Sequence, residues 1–283
     1  MVFGIALSHL VALLALIPYF FSWAGVSLAV VGGICSVVGI NVGYHRMLAH
    51  KGLSCSKRVE HCLAFLGVLA HQFGPAYWVA IHRRHHQSSD EQQDPHSPGT
   101  GFLWAHIGWL FAASENTDPQ STLEGYANDL LEDPFYAWLE AGGLWGKIVM
   151  AAWAIYFAAG ALVTILTGGT AAEAVQFGLS LVVWGAAVRT VCIWHVTFSV
   201  NSICHYWGYR NYATPDNSRN NPIVGVLAFG EGWHNNHHAF PRSARHGHRW
   251  WELDLAWLVI KGLAGAGLVT VLDADVPDRS RDK

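Results

Sequence analysis

The sequence predicts an all-α integral membrane protein, with four transmembrane helices in two hairpins and a helical cap on the cytosolic side. Three observations predict it. The 283 residues are 52% hydrophobic and only 13% charged, whereas a soluble domain carries about 25% charged residues. Four stretches approach the ~20 apolar residues that cross a bilayer, at about residues 2–21, 23–43, 144–167 and 174–200. Nearly all Lys and Arg lie in two other segments, 46–140 and 201–283, which also carry the dense histidine clusters.

The first stretch has no charged leader, and the next apolar stretch follows almost at once, so it is expected as a spanning helix rather than a signal peptide. The connectors Phe21-Ser-Trp23 and Thr167-Gly-Gly-Thr-Ala-Ala-Glu173 are short enough to make two hairpins. Neither contains Lys or Arg, which orients both basic segments and the N-terminus toward the cytoplasm. Residues 1–283 are expected to form one domain. Segments 61–72 and 101–113 are apolar but too short to span, and are expected as interfacial or cap-buried helices. Segment 255–272 carries Lys261 and several glycines. It is assigned to an interfacial or cap-packed helix, because a fifth span would put the charged tail Asp278-Arg-Ser-Arg-Asp-Lys283 outside. A net charge of −3 gives no nucleic-acid footprint. Five cysteines, an odd number without a CxxC pair, are expected as free thiols, with Cys204 a small packing residue.

The chemistry lies in the histidines. His45-Arg-Met-Leu-Ala-His50, His82-Arg-Arg-His85-His86 and His234-Asn-Asn-His237-His238 flank apolar runs, and Asn201-Ser-Ile-Cys-His205 ends another. On a helix, positions i, i+3 and i+4 share a face, so each HxxHH triplet projects together. His45 and His50, five apart, share a helical face poorly and need a helix end or two different metals. Nine imidazoles on one membrane side exceed the needs of one metal and suggest two first-row ions; iron suits imidazole, and zinc rarely takes more than four ligands. His9, His61 and His71 read as packing or hydrogen-bonded residues, and His246 and His248 as an exposed basic patch.

In these residues the sequence resembles the membrane fatty acyl desaturases, in particular the delta-9, stearoyl-CoA desaturase-like branch. Gly43-Tyr-His-Arg-Met-Leu-Ala-His50 is similar to that branch's first box. Trp78 through His86, Asp94-Pro-His-Ser-Pro98 and Gly101-Phe-Leu-Trp-Ala-His-Ile-Gly-Trp109 resemble its second box and the segment that follows. Trp194 through His205 and Gly230-Glu-Gly-Trp-His-Asn-Asn-His-His238 resemble its last two elements. The resemblance implies that His45, His50, His82, His85, His86, His205, His234, His237 and His238 hold two irons, with Asn201 reaching one through a water. It implies a bent acyl tunnel under the metals, shaped by Gln72, Trp78 and Thr197, with Phe198 where animal enzymes usually have Trp. Asp94 and Glu231 are expected to accept the other N–H of ligand imidazoles, and His96 and His106 to support the ligands or pack the cap. The style of Gln72-Phe-Gly-Pro-Ala-Tyr-Trp78 suggests a bacterial enzyme, hence a bacterial inner membrane. Ala80 and Ile81 replace an Arg-Asp pair that helps animal enzymes hold CoA, so acyl-CoA, an acyl-carrier-protein ester and a lipid-linked chain all stay open as substrates.

The implied reaction removes two hydrogens from neighbouring methylenes of a saturated fatty acyl chain, using dioxygen, two irons and two external electrons. Unactivated C–H bonds have no acidic proton, so side-chain acid–base chemistry does not suffice, and the metals must carry the step. The segment from Trp250 to Lys283 is too short for a fused cytochrome b5 module, which implies a separate ferredoxin or b5-like donor. Arg83, Arg84, Arg242, Arg245 and Arg249 offer a docking surface for it or are ordinary flanking charge. Two rival readings are a membrane di-iron hydroxylase, whose product is an alcohol, and a non-catalytic metal-binding lipid sensor, which would consume no dioxygen.

Overall fold

The computed structural model describes residues 2–112 and 114–274; the charged tail lies outside them. The chain runs α1 (Val2–Leu13), α2 (Trp23–Ala49), β1 (Leu53–Cys55), α3 (Lys57–Val68), α4 (Pro75–Gln87), α5 (Phe102–His106), α6 (Pro134–Leu166), α7 (Ala171–Tyr206), α8 (His234–Ala239), α9 (Leu255–Gly265) and β2 (Val269–Val271), with short helical turns between. Among the described residues α2, α6 and α7, at 27, 33 and 36 residues, are long and apolar enough to cross a membrane. The first expected span is shorter. Its apolar helix covers Phe3–Leu16, fewer than the ~20 residues a single helix needs. Pro18 is the reason: proline lacks an N–H and drives the residue before it out of helical geometry. Ile17 is accordingly extended, with φ −97° and ψ 120°.

Both expected connectors are built by capping. Ser22 Oγ accepts from Gly25 N at 3.0 Å and starts α2. Thr170 and Glu173 form a reciprocal capping box at the start of α7, satisfying two otherwise orphaned N–H groups. Helix α6 bends near its start, where Gly142 and Gly143 adopt φ values of +57° and +66°, left-handed geometry that only glycine takes up cheaply. Inside α7, Arg189 is buried and donates to the Leu69 carbonyl at 3.0 Å and the Tyr156 hydroxyl at 3.3 Å. A cation at membrane depth needs such partners. A histidine string ties α1 to α7 and α5: His9 Nε2 lies 3.1 Å from His195, and His195 Nδ1 lies 2.9 Å from His106, which contacts Ser202 Oγ. His9 thus has the hydrogen-bonded role expected of it. His61 does too, 2.9 Å from Asp133, while His71 is packed beside Trp194 and Trp145.

One element corrects the all-α expectation. Strands β1 and β2 pair antiparallel, Leu53 with Val271 and Cys55 with Val269. At three residues each they are too short for alternation to be read from sequence. They also fix the fate of segment 255–272. Helix α9 ends after 11 residues, far short of a bilayer, buries Ala256 and Ile260, and returns through Gly267 to pair beside the first histidine box. At 11 residues it is too short to be a fifth span, and it packs beside that box.

The helices meet closely at Gly39, where an added Cβ would lie 2.1 Å from Gly67 N in α3. Backbone cannot move aside cheaply. Gly39→Ala is expected to cost about 1–3 kcal/mol or more by overpacking, read as a lower melting temperature in detergent. Gly146→Ala, where an added Cβ meets nothing within 4 Å, is the control that should not melt earlier.

Candidate metal centre

The five-residue spacing of His45 and His50 has a backbone cause. From Gly39 to Ala49 the C-terminal end of α2 widens into a π-helix, and His50 N bonds to the His45 carbonyl at 3.1 Å. With i→i+5 bonding, residues five apart stand on one face; such widenings are frequent at functional sites. The His45 and His50 rings are 4.9 Å apart.

The nine predicted imidazoles gather into two sets. His45, His50, His82, His86 and His237 form one; His85, His205, His234 and His238 form the other. Each HxxHH triplet is therefore divided between the sets: His82 and His86 face one way and His85 the other, and His237 is separated from His234 and His238. Within a set, each histidine offers one nitrogen, and these nitrogens all lie within 4.8 Å of one another. Neighbouring Nε2 atoms stand 2.7 Å apart for His50 and His82, 2.8 Å for His86 and His237, 3.1 Å for His45 and His237, and 3.0 Å for His205 and His234. At a metal–nitrogen length of about 2.1 Å, adjacent ligands stand about 3 Å apart and opposite ones about 4.2 Å. The spacing fits a metal shell.

The protonation pattern fits as well. His45 Nδ1 stands 2.7 Å from Glu231, His85 Nδ1 3.0 Å from Asp94, His205 Nδ1 2.8 Å from Asp90 and His238 Nδ1 2.6 Å from Asp216. A carboxylate at Nδ1 holds the proton there and leaves Nε2 as a lone pair facing the set. The Nε2 atoms of His85 and His238 are buried and have no hydrogen-bond partner among the described residues. Burial and like neighbours hold His50, His82, His86, His234 and His237 well below the usual histidine range, and burial takes His238 to about 4. They are neutral, the form that binds metal. Burial opposes charge on Asp94 and Glu231, yet His85 and His96 around the first, and Arg46, His45 and His246 around the second, hold both carboxyls well below their ordinary range.

Asp94 and Glu231 thus stand against the Nδ1 atoms of His85 and His45. Asp90 and Asp216 were missed. Both sit in loops, and only the fold brings them to their histidines. His246 corrects an expectation: it is 1% exposed, not part of a surface patch. Its Nδ1 lies 3.2 Å from Glu231 and its ring 4.5 Å from that of His237. The Asp254 carboxylate accepts the His246 N–H at 2.7 Å and draws this loop inward. His248 is partly buried against Tyr212. His96 packs between His85 and Trp109. Cys204 is buried and a free thiol.

Gln72, Trp78 and Thr197 are hydrogen-bonded to one another: Gln72 Nε2 donates to Thr197 Oγ1 at 2.9 Å, and Trp78 Nε1 to Gln72 Oε1 at 3.4 Å. They stand where two cavities meet, each lined by Trp78, His82, Thr197 and Asn201. One cavity continues past Val37 and Ile40 between the long helices. The other shares Phe73, Trp109 and Leu110 with a vestibule of about 660 Å³. Among the described residues no Lys or Arg lines this vestibule; Glu140 does, with its carboxylate accepting from Ala76 N and Tyr77 N.

Asp216→Asn tests the carboxylate pattern. An amide N–H facing His238 Nδ1 would drive the ring proton to Nε2, the atom turned toward the set. Metal affinity is expected to fall about 10–100-fold, measured by chelator competition; unchanged affinity would show that Asp216 does not set the tautomer.

Comparison with known proteins bears on the identity of this centre. The family model described as "Fatty acid desaturase" matches residues 21–272. The chain is 40% identical over 267 residues to an sn-1 stearoyl-lipid 9-desaturase of Anabaena variabilis, covering 93% of this chain and 89% of the relative. It is 39% identical over 269 residues to an icosanoyl-CoA 5-desaturase of Limnanthes douglasii, covering 94% and 70%. It is 41% identical over 278 residues to a chloroplastic palmitoyl-monogalactosyldiacylglycerol delta-7 desaturase of Arabidopsis thaliana, covering 96% and 67%. Paired histidine sets above an apolar cavity suit such proteins, and the matched region contains every residue of both sets: the chain belongs to the fatty acid desaturase family and is an oxidoreductase that desaturates fatty acyl chains.

Proposed function

We propose that this chain is a dioxygen-dependent di-iron desaturase that places a cis double bond at delta-9 of a saturated acyl chain. The observation that carries the proposal is the meeting of two apolar cavities directly beside His82 and Asn201. His45, His50, His82, His86 and His237 would hold one iron; His85, His205, His234 and His238 would hold the other, with Asn201 through a water. When bound, the two irons supply the dioxygen chemistry that breaks two unactivated C–H bonds. The chain's own residues do the positioning. Asp90, Asp94, Asp216 and Glu231 fix the imidazole tautomers. The hydrogen-bonded trio Gln72, Trp78 and Thr197 sets the bend, which chooses the pair of carbons presented and favours a cis product. Apolar walls exclude water from the reacting methylenes.

Four passes, with α1 and its following turns completing the first, would place the cap on the cytoplasmic side of a bacterial inner membrane. Of the three acyl carriers, a lipid-linked chain fits the vestibule best. CoA brings several phosphates and carrier proteins are acidic, whereas the vestibule offers Glu140 and, among the described residues, no cation. The relatives named as stearoyl-lipid 9-desaturases favour the same reading. A separate one-electron donor completes the reaction.

Expression in a desaturase-deficient host, followed by gas chromatography–mass spectrometry of its lipids, tests this. New cis-9 monounsaturated chains are expected with the wild type and none with His85→Ala. Hydroxylated chains instead would move the enzyme to the hydroxylase reading, and a double bond elsewhere would refute delta-9.

A further inference from the structure

Four of the chain's 17 Lys and Arg, namely Arg242, Arg245, Arg249 and Lys261, fall within the 23 residues after the last histidine box. Three of them are exposed and Arg245 is half-buried. The same stretch carries two tryptophans, Trp250 at 95% exposed and Trp251 at 38%. A surface recess of about 270 Å³ lies here, lined by Arg245, Arg249, Trp250, Trp257 and Lys261. Glu252 and Asp254 also line it; both are buried, 4% and 5% exposed, Glu252 stands 3.9 Å from Arg249 Nε, and most of their hydrogen bonds run inward. Glu252 accepts from Tyr209, Asn211 and Asn236; Asp254 accepts from Arg46 and the His246 N–H. Arg83 and Arg84 are not part of the patch. Arg83 is bound to Asp129 and to the carbonyls of Leu48 and Tyr126, and Arg84 to the carbonyls of Gln93 and Glu115.

The patch is also joined to the metal centre by packed rings. Trp251 meets Trp233 edge-on at 5.8 Å. Trp233 is 1% exposed and directly precedes His234. Arg249 lies over the Trp251 ring at 5.9 Å and over Tyr209 at 5.5 Å, which fixes the outer ring. A second route leaves the same loop through His246 to His237. Electron transfer slows steeply with the gap to be crossed, so a route of two packed side chains from surface to ligand is what a docked carrier needs.

We infer that the Arg245–Arg249–Lys261 patch around Trp250 is the docking surface for an acidic one-electron carrier protein, and that Trp251 and Trp233 form a path from it to the metal centre. This rests on the desaturase reading. Two successive dockings deliver two electrons. These, with two protons from solvent and the two protons and two electrons lost by the acyl chain as two C–H bonds break and one C=C bond forms, reduce one dioxygen to two waters. Exposed charge of one sign steers an oppositely charged partner and makes association salt-dependent, and a central aromatic in a charged rim is the usual anatomy of a protein interface. A lipid surface would also attract Trp and basic residues, but it has no use for a ring path to His234.

The test uses the full chain in detergent with two acidic probes, reduced plant-type [2Fe–2S] ferredoxin and a soluble cytochrome b5 domain. Binding is measured between about 0.01 M and 1 M salt, and anaerobic oxidation of the reduced probe by stopped flow. The wild type is expected to bind at least one probe at low salt and lose it at high salt. The double variant Arg249→Glu, Lys261→Glu is expected to bind about tenfold or more weakly at low salt. Trp251→Leu is expected to slow probe oxidation about tenfold while binding stays within about twofold, a split that a merely structural role does not give. Bound metal and melting temperature, read on the same samples, verify the fold. Binding of neither probe, or binding indifferent to charge reversal, overturns the inference. So does a double variant that loses only its hold on vesicles of anionic lipid, which would make the patch a membrane anchor. Product formation by chemically reduced enzyme is scored separately and bears on the desaturase reading alone.

Discussion

Arg46→Met is expected to destabilise the protein by about 3–5 kcal/mol, the usual consequence of removing one partner from a buried charge cluster. The guanidinium is 1% exposed. It donates to Glu231 Oε1 at 2.9 and 3.2 Å, to Asp254 Oδ2 at 3.1 Å and to the Ala244 carbonyl at 2.8 Å. Methionine fills much of the volume but leaves two carboxylates buried together without a cation. The damage would extend beyond stability. Glu231 holds His45 Nδ1, and Asp254 both draws in His246 and caps α9 through Trp257 N at 2.9 Å. Thermal unfolding followed by tryptophan fluorescence, with Arg46→Lys beside it, is the measurement. Lysine should recover only part of the loss, because one ammonium cannot serve both carboxylates and the carbonyl in the fixed fork of arginine. A drop smaller than about 1 kcal/mol in the methionine variant would mean that the two acids find other partners or take up protons.

Arg46 also marks what the sequence did and did not disclose. As a residue it counted toward the basic segment that orients the chain; as a structure it is a buried tie between α2 and the last box. The histidine spacings were legible because i, i+3 and i+4 are local consequences of a helix, and so were the apolar spans and their short capped connectors. The division of each triplet between two sets was not, since it depends on where α4 and α8 lie across from α2. Asp90, Asp216 and His246 carry no local pattern. They sit in loops, and each becomes functional only when a partner distant in sequence arrives. The pairing of His45 with His50 was readable as a puzzle, a spacing that an ordinary α-helix does not favour, and the π-helical end of α2 resolves it. The break before Pro18 was signalled by the proline itself, which the continuous apolar run concealed.

His237→Ala is expected to abolish product and to remove one of two metal equivalents per chain while leaving the other. The reasoning starts from its neighbours. His237 Nε2 lies 3.1 Å from that of His45 and 2.8 Å from that of His86, joining the ligand of α2 to that of α4. His234 and His238, on the same short helix, serve the other set, and an alanine between them keeps the helix. That second set has its own supports: Asp94, Asp90 and Asp216 hold His85, His205 and His238, whereas Glu231 at His45 is the carboxylate contact of the first. Loss of one imidazole should therefore empty the five-histidine set selectively. His238→Ala is the reciprocal experiment and should empty the four-histidine set. Metal analysis of the purified variants, beside lipid product analysis, gives the readings. If each variant loses a different equivalent and both lose product, two separable metals act together on one chain. If His237→Ala loses both, the sets are a single cooperative unit whose halves do not bind independently. Two retained equivalents with wild-type product would remove His237 from the centre.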